Sequence, residues 1–88
     1  MTIEEEYLKL VENIKYYRKK QNMTQEKLAE LSDLSSSYIK QIESSTYFKN
    51  ISFYSLFKIA KVLNVQIADL FTPNIGNIKT KITEVNSK

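Results

Sequence analysis

The stretch "TQEKLAELSDLSSSYIKQIE", Thr24 to Glu43, holds two short helical patterns with no glycine or proline between them. Thr24, followed by Glu26 and Lys27, starts the first. A threonine hydroxyl accepts from the unpaired N–H groups of a first turn, and an early acid suits the positive end of the helix dipole. Leu28 and Leu31 form the apolar side of this helix and Ser32 its end. Ser35 caps the second, whose buried edge is Ile39 and Ile42, while Ser36, Ser37, Lys40, Gln41 and Ser44 lie on the other side, polar but not heavily charged. Only Ser32, Asp33 and Leu34 join the two. A steep crossing of this kind needs a small residue at the contact, a special backbone conformation at the turn, and apolar residues locking both helices against a third element.

Working outward, Leu10, Val11, Ile14 and Tyr17 fall at helical spacing from Glu4 to Gln21, with acids in the first turns and Arg18, Lys19 and Lys20 in the last, which predicts a helix there. Residues 44–51, "SSTYFKNI", lack periodicity and read as a loop. Phe53, Leu56, Phe57, Ile59, Ala60 and Leu63 then make a broad apolar stripe, capped by Ser52 and ending at Asn64, the expected main packing helix. "VQIADLF" predicts a short fifth helix with Ile67, Leu70 and Phe71 apolar, stopped by Thr72, Pro73 and Asn74. The domain is placed at residues 1–72. Residues 73–88 form a C-terminal tail, loosely ordered or an edge strand, because Ile78, Thr80 and Ile82 alternate while Ile78, Ile82 and Val85 also fit a helix. Tyr16, Tyr17, Tyr47 and Tyr54 are assigned to packing.

With 88 residues the chain holds one domain with a small core. It has no cysteine and no histidine, which removes thiolate chemistry, the usual proton shuttle and the commonest metal ligand. Glycine-rich phosphate loops and nucleophile–base pairs are absent too, so no enzyme, no cofactor and no metal site is expected. Glu4, Glu5 and Glu6 stand where a signal peptide would be basic, and no apolar run approaches membrane-spanning length, so no membrane association and a cytoplasmic location are expected. The net charge of +3 is uneven: residues 1–12 carry −3, leaving +6 on the other 76. A basic body behind an acidic leader is compatible with a nucleic-acid partner and equally with a solubilising surface.

Counting from Gln25 as the first position, Leu28 is fourth, Ala29 fifth, Asp33 ninth, Leu34 tenth, Ile39 fifteenth and Ile42 eighteenth. This is the spacing of a helix-turn-helix, in which Ala29 allows close approach and Leu28, Leu34, Ile39 and Ile42 face the core. With "IKYYRKKQNMTQEKLAE", "LSSSYIKQIE" and "LFKIAKVLNVQIADLF" in this order, the chain resembles the lambda-repressor-like family of DNA-binding domains over roughly residues 8–71. That family includes Cro proteins, Xre-type regulators and restriction–modification controller proteins. The expected fold is therefore all-α, a compact five-helix domain with the helix-turn-helix in helices 2 and 3. Two departures stand out. The family's turn usually has glycine at the ninth position, where this chain has Asp33, and the loop after Glu43 is longer than usual and lacks glycine.

The resemblance implies a sequence-specific regulator of transcription that sets its second motif helix into the major groove of double-stranded DNA. By the same resemblance Ser36, Ser37, Lys40 and Gln41 contact bases, and Gln25, Tyr38, Thr46, Lys49 and Asn50 contact phosphate, Gln25 also bracing the recognition helix. Arg18 and Glu43 stand where the family often has a buried ion pair linking the first helix to the end of the third. A homodimer on an inverted-repeat operator, acting as a repressor, is expected, with Val65, Ile67, Leu70 and Phe71 at the dimer interface. RNA polymerase or a regulatory protein is a further candidate partner. The alternative is a protein-interaction module of the same fold, such as an antitoxin acting on its toxin; an apolar tail gripping another chain would favour it.

Overall fold

The computed structural model describes residues 2–44 and 51–73. In chain order these form α1 (Ile3–Lys20), α2 (Gln25–Ser32), α3 (Ser36–Ser44), α4 (Phe53–Leu63) and a closing 3-10 helix (Ile67–Phe71), with no strand among the described residues. The all-α class is as expected. The fifth helix is the difference: five residues make a 3-10 turn, in which the Asp69 carboxylate accepts from the Gln66 N–H at 2.9 Å and the Thr72 hydroxyl donates to the Asp69 carbonyl at 2.9 Å. The tail at residues 74–88 and the loop positions 45–50 lie outside the described residues.

Each α-helix starts on a hydroxyl. Thr2 and Glu5 form a reciprocal capping box on α1, Thr24 accepts from the Lys27 N–H, Ser35 from the Tyr38 N–H and Ser52 from the Ser55 N–H. The endings of α1, α2 and α4 share one geometry, without glycine. Asn22, Asp33 and Asn64 have φ of 55°, 58° and 60°, and the residue after each returns its N–H to a carbonyl five positions back: Met23 to Arg18, Leu34 to Ala29 and Val65 to Ala60. Asn and Asp tolerate this left-handed conformation better than other side chains, and an apolar residue follows each time to pack against the core.

The core joins Val11 and Ile14 of α1, Leu28 and Ala29 of α2, Ile39 and Ile42 of α3, Ile59 and Leu63 of α4, and Leu70 of the 3-10 helix. Leu34 of the motif is half-buried at its edge. Three expectations about the apolar faces are corrected. Leu31 is 52% exposed, because in an eight-residue helix the buried arc is taken by Leu28, Ala29 and Ser32. Phe53 and Phe57 are 64% and 53% exposed and stack edge to face at 4.7 Å, since Ser55, Leu56, Ile59, Ala60 and Leu63 already fill the inner side of α4. Tyr54 is also outside, with the Lys58 ammonium 4.7 Å from its ring, whereas Tyr16 and Tyr17 are half-buried edge to face.

One polar group holds the closing turn to the bundle. The buried Asn13 amide donates to the carbonyls of Leu70 and Thr72 at 2.8 and 2.6 Å, satisfying two acceptors that a short 3-10 helix leaves open.

Candidate nucleic-acid interface

The helix-turn-helix places α3 with Ile39 and Ile42 fully buried and Ser37, Lys40 and Gln41 exposed on the opposite side; Ser36 and Tyr38 are half-buried. Four polar positions therefore share one solvent face: Ser36 and Ser37 in the first turn, Lys40 and Gln41 one turn later. The Tyr38 ring packs partly against the core.

The other end of α3 is fixed from inside. Glu43, 2% exposed at its side chain, takes the Arg18 guanidinium in a two-point pair: Nε donates to Oε2 and Nη2 to Oε1, both at 2.8 Å. Arg18 also donates through Nη1 to the Met23 carbonyl at 2.7 Å. A third donor comes from Gln25, the first residue of α2, whose Nε2 reaches Glu43 Oε1 at 3.0 Å. The planar guanidinium suits this geometry in a way a lysine cannot. Gln25, expected both to touch phosphate and to brace the recognition helix, gives one amide N–H to the brace on α3, with its neighbouring helix end exposed.

The next residue of α2 makes a second tie, which the sequence did not disclose. Glu26 Oε2 lies 3.0 Å from Lys40 Nζ, joining α2 to the middle of the α3 face. The hydrogen bond from Lys40, aided by the backbone hydrogen bond at Glu26 and by the lysine's charge, holds the Glu26 carboxyl below the usual 4.5. Lys27 and Glu30 pair on α2 itself at 3.3 Å. A link spanning fourteen positions cannot be read from helical spacing.

Thr46, Lys49 and Asn50, expected on phosphate, lie outside the described residues. Of the four positions expected at a dimer interface, Leu70 has no exposed surface and belongs to the core, so only Val65, Ile67 and Phe71 retain surface for a partner. No group of three or more metal-ligating side chains occurs among the described residues, and no helix among them is long and apolar enough to cross a membrane.

Comparison with known proteins places this architecture. Residues 14–70 match the family described as Helix-turn-helix. The control protein C.BamHI of Bacillus amyloliquefaciens is 48% identical over 64 residues, covering 70% of this chain and 75% of that protein. The control protein C.SmaI of Serratia marcescens is 38% identical over 63 residues, covering 72% and 73%. Among solved structures, the restriction-modification controller protein C.AhdI from Aeromonas hydrophila superposes with a TM-score of 0.68 at 29% identity, over 74% of this chain and 96% of that one. The spacing, the left-handed turn at Asp33, the outward polar face of α3 and these likenesses agree: the chain belongs to the Xre-type helix-turn-helix family of DNA-binding transcription regulators.

Proposed function

We propose that the chain binds an inverted-repeat operator as a homodimer and acts as a repressor in the manner of a restriction–modification controller. The observation that carries the reading is the α3 face. Ser36, Ser37, Lys40 and Gln41 stand together on a helix whose back is locked into the core. Major-groove edges present donors and acceptors that these groups match: hydroxyls to several bases, an ammonium to guanine O6 and N7, and a glutamine amide to adenine. Without an arginine among the four, specificity rests on several modest contacts and on DNA shape. Gln25 and the N–H groups opening α2 serve phosphate, with Tyr38, Thr46, Lys49 and Asn50 completing the backbone contacts. The likeness to the control proteins favours the restriction–modification setting over other uses of the fold.

Two copies are needed because one helix reads only a few base pairs. Val65, Ile67 and Phe71 supply the surface for the second copy. A dimer making roughly 6 to 10 phosphate contacts loses about three to five orders of magnitude in affinity between about 50 and 200 mM salt.

The test is selection from a random duplex library at moderate salt, run beside the double variant Ser37→Ala, Lys40→Ala. Enrichment of an inverted repeat with half-site centres about 10 bp apart, or a multiple of that, is expected, with loss or change in the variant. Salt-sensitive binding with no enriched sequence would overturn the reading and turn attention to a protein partner.

A further inference from the structure

The Glu26–Lys40 pair occupies part of the base-reading face of α3, and the occupant belongs to the other helix of the motif. Both side chains remain more than half exposed, 62% and 53%, so neither is sealed from an incoming ligand. At 3.0 Å the lysine ammonium is nevertheless charge-compensated and directed along the protein surface. A free lysine on this face would attract any phosphate, since that attraction carries no sequence information. A paired lysine must exchange its carboxylate for something of comparable quality. The close acceptors O6 and N7 of a guanine offer that in the major groove, where a passing phosphate offers one more exposed charge pair. The exchange carries a cost on any DNA, because Glu26, once abandoned, faces a polyanion without a counter-charge, and only a cognate base edge offers close acceptors that offset it.

Resting on the reading of α3 as the base-reading helix, we propose that Glu26 is a specificity-determining residue. It competes with DNA for Lys40, suppressing sequence-independent binding more than operator binding.

The experiment is a titration of the intact chain by fluorescence anisotropy against the selected operator duplex and a scrambled duplex, across a salt series. The proteins are the wild type, Glu26→Gln, Lys40→Ala, the Glu26→Gln, Lys40→Ala double variant and Glu30→Gln. Glu30→Gln removes an equally exposed acid from the same helix that pairs with Lys27 instead. For Glu26→Gln the expected result is tighter binding to the scrambled duplex by roughly two- to fivefold, the range that an exposed ion pair commands. The slope of log affinity against log salt should steepen by about 0.9, one extra phosphate contact. Operator affinity should change by less, so the specificity ratio falls. In the Lys40→Ala background the same substitution should have no differential effect, and Glu30→Gln should move both duplexes alike. Equal tightening on both duplexes by Glu26→Gln, or an effect that persists undiminished without Lys40, would overturn the proposal while leaving the reading of α3 intact. If the wild type shows no preference between duplexes and Lys40→Ala changes neither, the reading of α3 itself has failed, and the proposal with it.

Discussion

Replacing Arg18 with alanine tests what holds the motif in place. In the folded protein Glu43 is 2% exposed and takes three hydrogen bonds, two from Arg18 and one from Gln25. Among the described residues, Arg18→Ala removes the only cation paired with Glu43 and leaves the buried carboxylate with the Gln25 amide as its donor. Breaking a buried pair in this way costs about 3 to 5 kcal/mol. The surviving Gln25 bond moves the value toward the lower end, while the Met23 carbonyl, which loses its 2.7 Å donor, adds about 1 kcal/mol. About 4 kcal/mol is therefore expected, a large share of the roughly 5 to 13 kcal/mol available to a chain of this length. At about 4 to 8 °C per kcal/mol for a domain of this size, the thermal midpoint should fall by roughly 15 to 30 °C. The assay is helical circular dichroism against temperature, with denaturant unfolding to confirm an unchanged slope. A control separates lost attraction from stranded charge: in Arg18→Met, Glu43→Leu both ions are gone and apolar volume remains, so stability should return most of the way toward wild type. A midpoint within about 4 °C of wild type for Arg18→Ala, or a double variant less stable than the single one, would refute the reasoning.

Three further outcomes follow from the same structure. Asn13→Ala strands the Leu70 and Thr72 carbonyls and should cost about 1 to 3 kcal/mol, read as a lower denaturant midpoint, with amide exchange quickening first in the 3-10 helix; an unchanged midpoint would mean water replaces the amide at no cost. Asp33→Ala keeps a β-carbon in the left-handed turn but replaces a residue type that tolerates it, and should destabilise by about 1 kcal/mol, whereas Asp33→Gly should not; equal losses in both would show that the aspartate side chain, not its backbone, matters. The Glu26 carboxyl sits below the usual 4.5 because Lys40 hydrogen-bonds its charged form, so its contribution is full above that value and is lost as pH falls through the folded pKa. The stability difference between wild type and Glu26→Gln should therefore shrink on acidification below 4.5, and a gap constant with pH would contradict the pairing.

The starts of α2, α3 and α4 and the motif itself were legible because each is a local chemical event: a hydroxyl three positions ahead of an N–H, or a fixed spacing of Leu28, Ala29, Ile39 and Ile42. Outer and inner faces were less legible where one helix carries more apolar residues than its buried side can hold. In α4 the inner arc is filled by Leu56, Ile59, Ala60, Leu63 and the small Ser55, so Phe53 and Phe57, adjacent on the helical wheel, are left outside although their hydrophobicity reads as core. Asn13 does not register in an apolar pattern, and only its place between Leu10 and Ile14 on the inner face of α1 signals its role. Arg18 stood out as the only arginine, whereas the Glu26–Lys40 contact has no local signature and depends on how α2 and α3 cross.

Adjacent residues at the start of α2 hold α3 at two points, and the two ties respond to salt differently. Gln25 reaches inward to Glu43 at the far end of α3, where the Arg18 pair is shielded from solvent; Glu26 reaches outward to Lys40 on the reading face, where both partners are exposed. Rising salt weakens the exposed outer pair and barely touches the buried inner one. A nine-residue helix is too short to persist by itself, so its orientation is set by the core and the inner tie. Rising salt should therefore free Lys40 without tilting α3. Loss of the inner tie should do the reverse, leaving the face chemically intact but no longer aimed. Partial loss of affinity with unchanged base preference is then the signature of damage at Arg18 or Glu43, and altered preference at only a small cost in stability that of damage at Glu26 or Lys40.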